Sequence, residues 1–236
     1  MNFRWEWEVF LRDTGGGQTY LEWLMSAWGW TLSVSVLSLI VALVVGSLMG
    51  ILRTTPNKWL VLVGECWTEM FRNVPLLVQI FLWYHVIPSI FLSLRAVPSI
   101  VLVVFALGFF TSARISEQVR AGIQSLPRGQ TYAGLAMGLT LPQTYRYVLL
   151  PVALRIVIPP LTSEAMGIVK NSAVAFAVSV AELIMFARQA QEETSRGIEI
   201  YLAVTGLYFV SSIVIFAIAR FIELRVRVPG MLGSSQ

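Results

Sequence analysis

The chain has 236 residues, 56% of them hydrophobic and 13% charged, with 17 Lys and Arg against 13 Asp and Glu for a formal net charge of +4. A soluble domain carries about 25% charged residues, and the mean hydropathy here is +0.73, so an ordinary soluble domain is excluded. The apolar runs do not alternate as the ~10-residue strands of a membrane β-barrel do, which leaves an all-α polytopic membrane protein as the expected fold class. The basic excess reads as topology signalling rather than nucleic-acid binding. The single cysteine, Cys66, allows no intrachain disulfide. The opening MNFRWEWEVFLRD lacks the apolar core of a cleaved signal peptide.

Residues 1–27 form a polar lead rich in tryptophan (Trp5, Trp7, Trp23) with a triple glycine at Gly15, Gly16 and Gly17; tryptophan favours the headgroup interface, so an interfacial segment is expected. A single transmembrane domain follows over 28–224. Its first span, 28–52, is uncharged and exceeds the roughly 20 residues that cross the hydrocarbon. The apolar stretch 59–91 is too long for one straight span and contains Glu65, Glu69, Arg72, Pro75 and Gln79. Positions 65, 69 and 72 share a helical face, and Pro75 should kink or restart the helix. We therefore expect a lead helix, then a span over 75–90. A third span covers 98–120 and carries Arg114 and Glu117 in its second half. The segment 121–150 is polar and punctuated by Gly and Pro, so it must lie outside lipid or line a protein-walled cavity. A fourth apolar region, 149–186, is interrupted near Val169, Lys170, Asn171 and Ser172. A polar loop is expected over 188–199, a last span over 200–222 and a tail over 225–236. That makes about five transmembrane helices.

Charge arithmetic sets the orientation. With five spans and the N-terminus outside, cytoplasmic segments hold Arg53, Lys58, Arg120, Arg128, Arg146, Arg155, Arg220, Arg225 and Arg227. External segments hold Arg4, Arg12, Arg95, Arg188 and Arg196, together with seven carboxylates: Glu6, Glu8, Asp13, Glu22, Glu192, Glu193 and Glu199. Nine cations inside against five outside follows the positive-inside rule.

Arg72, Arg114 and Lys170 fall at membrane depth, where an unpaired charge costs about 2.5–3.5 kcal/mol. Arg114 and Glu117 stand i, i+3 and have two readings: mutual neutralisation, or Arg114 facing a substrate path and binding an anion. Arg72, beside Glu69, has the same two readings. Lys170, Asn171 and Ser172 mark a helix break of the kind that lines cavities. Gln79 lies two turns beyond Arg72 and serves either the path or a helix contact. His85 is the sole histidine, so no His/Cys metal set is expected. No P-loop motif occurs, and no histidine is placed to activate a Ser or Thr, which argues against an enzyme.

The segment GQTYAGLAMGLTLPQTYRYVLLP, residues 129–151, resembles the cytoplasmic coupling loop of ABC importer permeases, whose pattern is E-A-A, three residues, G, about nine residues, then I-x-L-P. Gly138 stands at the glycine and Leu149, Leu150 and Pro151 close the pattern; Tyr132, Ala133 and Gly134 stand where E-A-A is usual. The run Phe71-Arg72-Asn73-Val74-Pro75-Leu76-Leu77-Val78-Gln79 is similar to F-R-x-x-P-L-x-x-Q of the polar amino-acid uptake group. Glu117 and Arg120 match its E-x-x-R, and Lys170-Asn171-Ser172 its K-x-[ST]. Within that group, the Met1-Asn2-Phe3 start, the run 113–120 and the Arg225-to-Gly230 end are similar to permeases of glutamate/aspartate importers.

The resemblance implies a type I ABC importer permease fold in a cell inner membrane, with no covalent chemistry of its own. It implies a substrate path drawn from Arg72, Gln79, Arg114, Glu117, Lys170, Asn171 and Ser172. ATPase coupling would go through Arg128, Gln130, Tyr132, Ala133, Gly134, Gly138, Gln143, Arg146 and Pro151. The partners implied are a second permease subunit (same or different), a cytoplasmic ATPase dimer that carries ATP and Mg, an external binding protein, an amino acid and the lipid. The alternative from the buried charges alone is an ion-gradient-driven secondary amino-acid transporter, which would show inverted repeats and need no coupling loop.

Overall fold

The computed structural model describes residues 4–226; the Met1–Phe3 start and residues 227–236, with Arg227, lie outside the described residues. Helices dominate, and the described residues contain one isolated β-bridge, Asp13 with Thr19. A short 3-10 turn at Trp7–Leu11 precedes α1, Tyr20–Leu52, which begins earlier than the span expected from Trp28. Then come α2 (Lys58–Arg72), α3 (Leu76–Phe81) and α4 (Ile87–Ile90), with a π turn at Leu82–Val86 between the last two and a 3-10 turn at Leu92–Ala96 after them. The long α5 (Ser99–Gln124) leads to α6 (Arg128–Ala136) and α7 (Leu141–Thr144), then through a second π turn to α8 (Leu150–Asn171). A 3-10 segment at Ser172–Val178 precedes α9 (Leu183–Thr194) and α10 (Gly197–Val226). Among the described residues, four stretches are long and apolar enough to cross a membrane, and five if the broken pair Lys58–Arg72 and Leu76–Ile90 counts as one span.

The break in that pair falls where the sequence placed it. Asn73 ends α2 and Pro75 caps α3 with extended backbone, ψ 139°, as a residue that cannot donate to a preceding turn must. The polar loop expected over 188–199 is instead mostly helix. Leu183, Phe186, Ala187 and Ala190 are buried along one face of α9, a helical spacing that the charges of this stretch hid.

Two compact units divide the chain: one up to Ile40 with Val74–Gly108 and Gly167–Ile213, the other Val41–Asn73 with Phe109–Met166 and the chain from Val214. In the first, Val9, Phe10, Tyr20, Leu24, Phe186, Ile200 and Val204 share a core. The lead is thus packed in, not merely laid on an interface. Glu6 pairs with Arg196 and with Arg12, and its amide donates to the buried Glu199 Oε1 at 3.0 Å. In the second unit, Ala42, Ile115, Val119, Ile123, Ala153 and Val157 form the core. Gly46 and Gly50 let α1 close on α5, since a Cβ at either would stand 2.7 Å from the Cβ of Ile115 or Val119. This is the small-residue packing used where lipid offers no hydrophobic drive between helices.

Candidate functional site

The second unit gathers four charges around one cavity of about 430 Å3, lined by Arg72, Phe110, Arg114, Glu117, Gln118 and Glu164. Of the two readings left open, the Arg114–Glu117 pair does not form, and neither does a pair between Arg72 and Glu69. Arg72, at the end of α2, pairs with Glu117 of α5. Arg114 lies 3.8 Å from Glu164 of α8 and over the Phe110 ring, 5.3 Å from its centroid. Gln118 donates to Glu164 Oε1 at 3.0 Å, while Glu69 accepts from Asn73 at 2.8 Å. A one-turn i, i+3 pair yields here because each side chain finds a partner on a neighbouring helix.

Glu164 is the residue that sequence reasoning missed. A lone carboxylate in the apolar stretch 149–168 was the available signal, since an intramembrane acid is a functional candidate by default. Arg114 is half exposed, 52% of its side chain, so its guanidinium retains donors toward the cavity.

The same unit buries another cation. Arg53, counted from the sequence among the cytoplasmic cations, is 7% exposed and donates to Thr68 Oγ1 and Ser116 Oγ at 3.3 Å each. Burial, then the nearby Arg120, lowers its pKa from the usual arginine range. It remains the tie that joins the end of α1 to α2 and α5.

The remaining residues expected to line the path belong to the first unit. Gln79 is buried, and its amide donates to Val74 O at 2.9 Å, closing the start of α3. Lys170 is exposed and Asn171 half-buried. Ser172 is buried, its hydroxyl donating to Val169 O at 2.7 Å. The helix does change character there: α8 stops at Asn171 and gives way to the 3-10 segment.

The segment expected to couple is built around α6. Its end is a turn in which Gly138 takes φ +83°, the Gly138 amide donates to Leu135 O and the Leu139 amide to Gly134 O, at 3.0 and 3.2 Å. That is the Schellman arrangement, which glycine adopts without steric cost. Gly134, in place of the usual alanine, is explained by packing: a Cβ there would meet Thr144 Cγ2 at 2.8 Å. Gln143 is engaged as the capping partner of Thr140, whose amide and hydroxyl donate to Gln143 Oε1 at 2.8 and 2.9 Å. Tyr145 donates to Thr54 O at 2.7 Å and so anchors the segment to the end of α1. Arg128, Tyr132, Ala133, Arg146 and Pro151 are exposed, and Gln130 is half-buried. Tyr132 and Met137 stand out, at 66% and 81% exposure.

These features meet their counterparts in known proteins. Residues 42–228 match the family model described as "Binding-protein-dependent transport system inner membrane component". The chain is 43% identical over 244 residues to the glutamate/aspartate import permease protein GltJ of Escherichia coli K12, with 99% of each chain covered. It is 34% identical to the probable glutamine ABC transporter permease protein GlnM of Bacillus subtilis, covering 83% of this chain and 89% of that one. Among solved structures, an amino acid ABC transporter superposes with a TM-score of 0.76 at 29% identity, over 87% of this chain and 95% of that one. These likenesses set aside the ion-gradient reading, support a multi-pass permease of the inner membrane, and give it no enzymatic role of its own; its family and structural neighbours are permeases that work with ATPase and binding-protein partners. The chain therefore belongs to the family of binding-protein-dependent transport system inner membrane components.

Proposed function

We propose that this chain forms half of the translocation path of an ATP-driven importer for acidic amino acids, with its N-terminus outside, its C-terminus in the cytoplasm, and the Arg72–Arg114 cavity as a substrate-contacting surface. The observation that carries this reading is the composition of that cavity, two arginines and two glutamates around about 430 Å3. A zwitterion needs both signs: carboxylates take the planar arginine fork, and the ammonium takes a glutamate. The extra carboxylate of glutamate or aspartate is matched by the second arginine. The similarity to a glutamate/aspartate import permease over nearly its whole length supports the same substrate class.

Coupling follows from the exposed face of α6. Tyr132 and Met137 present apolar surface beside Arg128, a composition suited to a groove on a cytoplasmic ATPase dimer. The turn at Gly138 and the Tyr145–Thr54 bond pass any displacement of α6 to α1 and α8. ATP and Mg reside on the ATPase. A second permease chain, identical or related, completes the path.

The test is uptake of labelled glutamate into proteoliposomes holding this chain with its companion permease, ATPase and binding protein, each omitted in turn. Uptake should require every component and ATP. Arg114→Ala should lower it at least about tenfold, the loss of one charge-assisted contact, in complexes that still assemble. Undiminished uptake by assembled Arg114→Ala complexes would sink the role of the cavity.

A further inference from the structure

A second pocket, of about 400 Å3, lies wholly within the first unit, and its polar lining is Tyr84, His85, Ser89, Arg95 and Ser99. Irregular backbone builds it from two sides: the π turn Leu82–Val86, which carries His85, and the 3-10 turn Leu92–Ala96, which carries Arg95. Single π turns inside helices recur at functional sites, because the wider turn re-aims a side chain. Arg95 Nε donates to Pro88 O at 3.3 Å. That bond holds one edge of the guanidinium and leaves the two terminal nitrogens as a side-by-side donor pair. Ser89 spends its hydroxyl on His85 O at 2.6 Å, and the His85 ring stands edge-on to Tyr84 at 4.7 Å. Ser99 opens α5, so the positive end of a 26-residue helix reaches the same lining.

The pocket differs from the Arg72–Arg114 cavity in one respect. There each arginine has a carboxylate partner. Here no carboxylate is among the lining residues, and Arg95 has no ion-pair partner among the described residues. The pocket therefore offers a fixed positive charge and the terminal guanidinium donors of Arg95 with no carboxylate among the described residues to meet them.

We propose that this pocket is a carboxylate-binding site that receives the amino acid before transport, with Arg95 as the charge-bearing ligand and His85 beside it. The substrate half of the assignment rests on the acidic amino-acid reading above. The phosphate of an anionic phospholipid, with no choline to neutralise it, presents the same anionic oxygens, and the experiment separates the two sources.

His85 is the only histidine of the chain, so its modification by diethyl pyrocarbonate, read by mass spectrometry of this subunit, reports on this pocket alone. The assembled transporter is placed in phosphatidylcholine vesicles without binding protein and labelled with L-glutamate, with the same concentration of sodium chloride, or with neither. Glutamate is expected to slow labelling severalfold and chloride to leave it unchanged. Arg95→Gln should raise the half-protecting glutamate concentration about tenfold, and Arg95→Lys, which keeps the charge and guards against a folding artefact, should raise it less. Equal protection by chloride, or none by glutamate, overturns the site. Protection that appears in phosphatidylglycerol vesicles without any amino acid overturns the substrate assignment in favour of lipid phosphate. Glutamate uptake is measured on the same preparation after binding protein is added. Import with His85 unprotected removes this site alone, whereas failure to import glutamate or aspartate removes the functional reading on which the substrate half rests.

Discussion

Two regions of the second unit use glycine for opposite ends. Along the α1–α5 seam, Gly46 and Gly50 remove side chains so that backbone can approach the carbonyls of Ser112 and Ser116; a Cβ would sit 2.7 and 2.8 Å from those oxygens. At the end of α6, Gly138 has open space around it but a φ of +83°. The first glycine pair seals an interior, and the second bends a presented surface so that Tyr132 and Met137 stay exposed. The lesson is that the same residue type predicts loss of assembly in one place and loss of coupling in the other.

The largest effect should come from filling the seam. Gly50→Val places its side chain against Val119 and Ser116, an overpacking that costs about 3 kcal/mol or more, and the yield of monodisperse complex by size-exclusion chromatography should collapse. Near-normal yield would mean the seam is looser than its distances imply.

A second sealed position, in the first unit, titrates. Glu182 is fully buried, caps α9 by accepting from the Ile184 and Met185 amides at 2.9 Å each, and accepts from Tyr208 at 3.0 Å. Burial pushes its pKa up from 4.5 to about 7, against the lowering effect of those three hydrogen bonds. The folded pKa lies above the unfolded one, so the contribution to stability is complete below about pH 4.5 and is lost as pH rises through about 7. The change amounts to up to about 3 kcal/mol. Thermal unfolding from pH 4.5 to 8 should show this slope, and Glu182→Gln should flatten it. An unchanged slope in the variant would assign the pH dependence elsewhere.

Next comes the bend itself. Gly138→Ala forces a β-carbon into left-handed backbone at about 1–2 kcal/mol, and Gly138→Asn should cost less. Because nothing lies within contact of a Cβ there, ATP-dependent uptake should fall while assembly persists. The smallest change in stability is expected for Tyr132→Ala combined with Met137→Ala, within about 0.5 kcal/mol by thermal unfolding. Uptake and ATPase association should nevertheless drop. If both survive intact, α6 does not dock through this face.

Much of the fold was legible because the signals were local. Long uncharged runs and the Pro75 restart each act within a few residues of themselves, and each appears where periodicity and punctuation placed it. The helix α9 was not legible as a helix, because its apolar face of Leu183, Phe186, Ala187 and Ala190 is diluted by the charges and glutamines opposite. In the candidate site, Arg72, Arg114 and Glu117 could be picked out one by one as costly charges in apolar runs. Gln143 was placed with the coupling surface by its position in the motif, but its carbonyl is occupied as a helix cap.

By itself, the sequence determined the class of molecule, the approximate number of spans and several of the expensive charges, Arg72, Arg114 and Glu117 among them, since each depends on composition or spacing along one helix. Only the tertiary structure decided the partners. It gave Arg72 to Glu117 and Arg114 to Glu164, buried Arg53 between Thr68 and Ser116, and left Arg95 without a carboxylate among the described residues. Ion pairs between helices depend on how helices pack, and that packing turned on shape, on glycines such as Gly46 and Gly50 that let backbones approach, which no pattern of charge along the chain encodes.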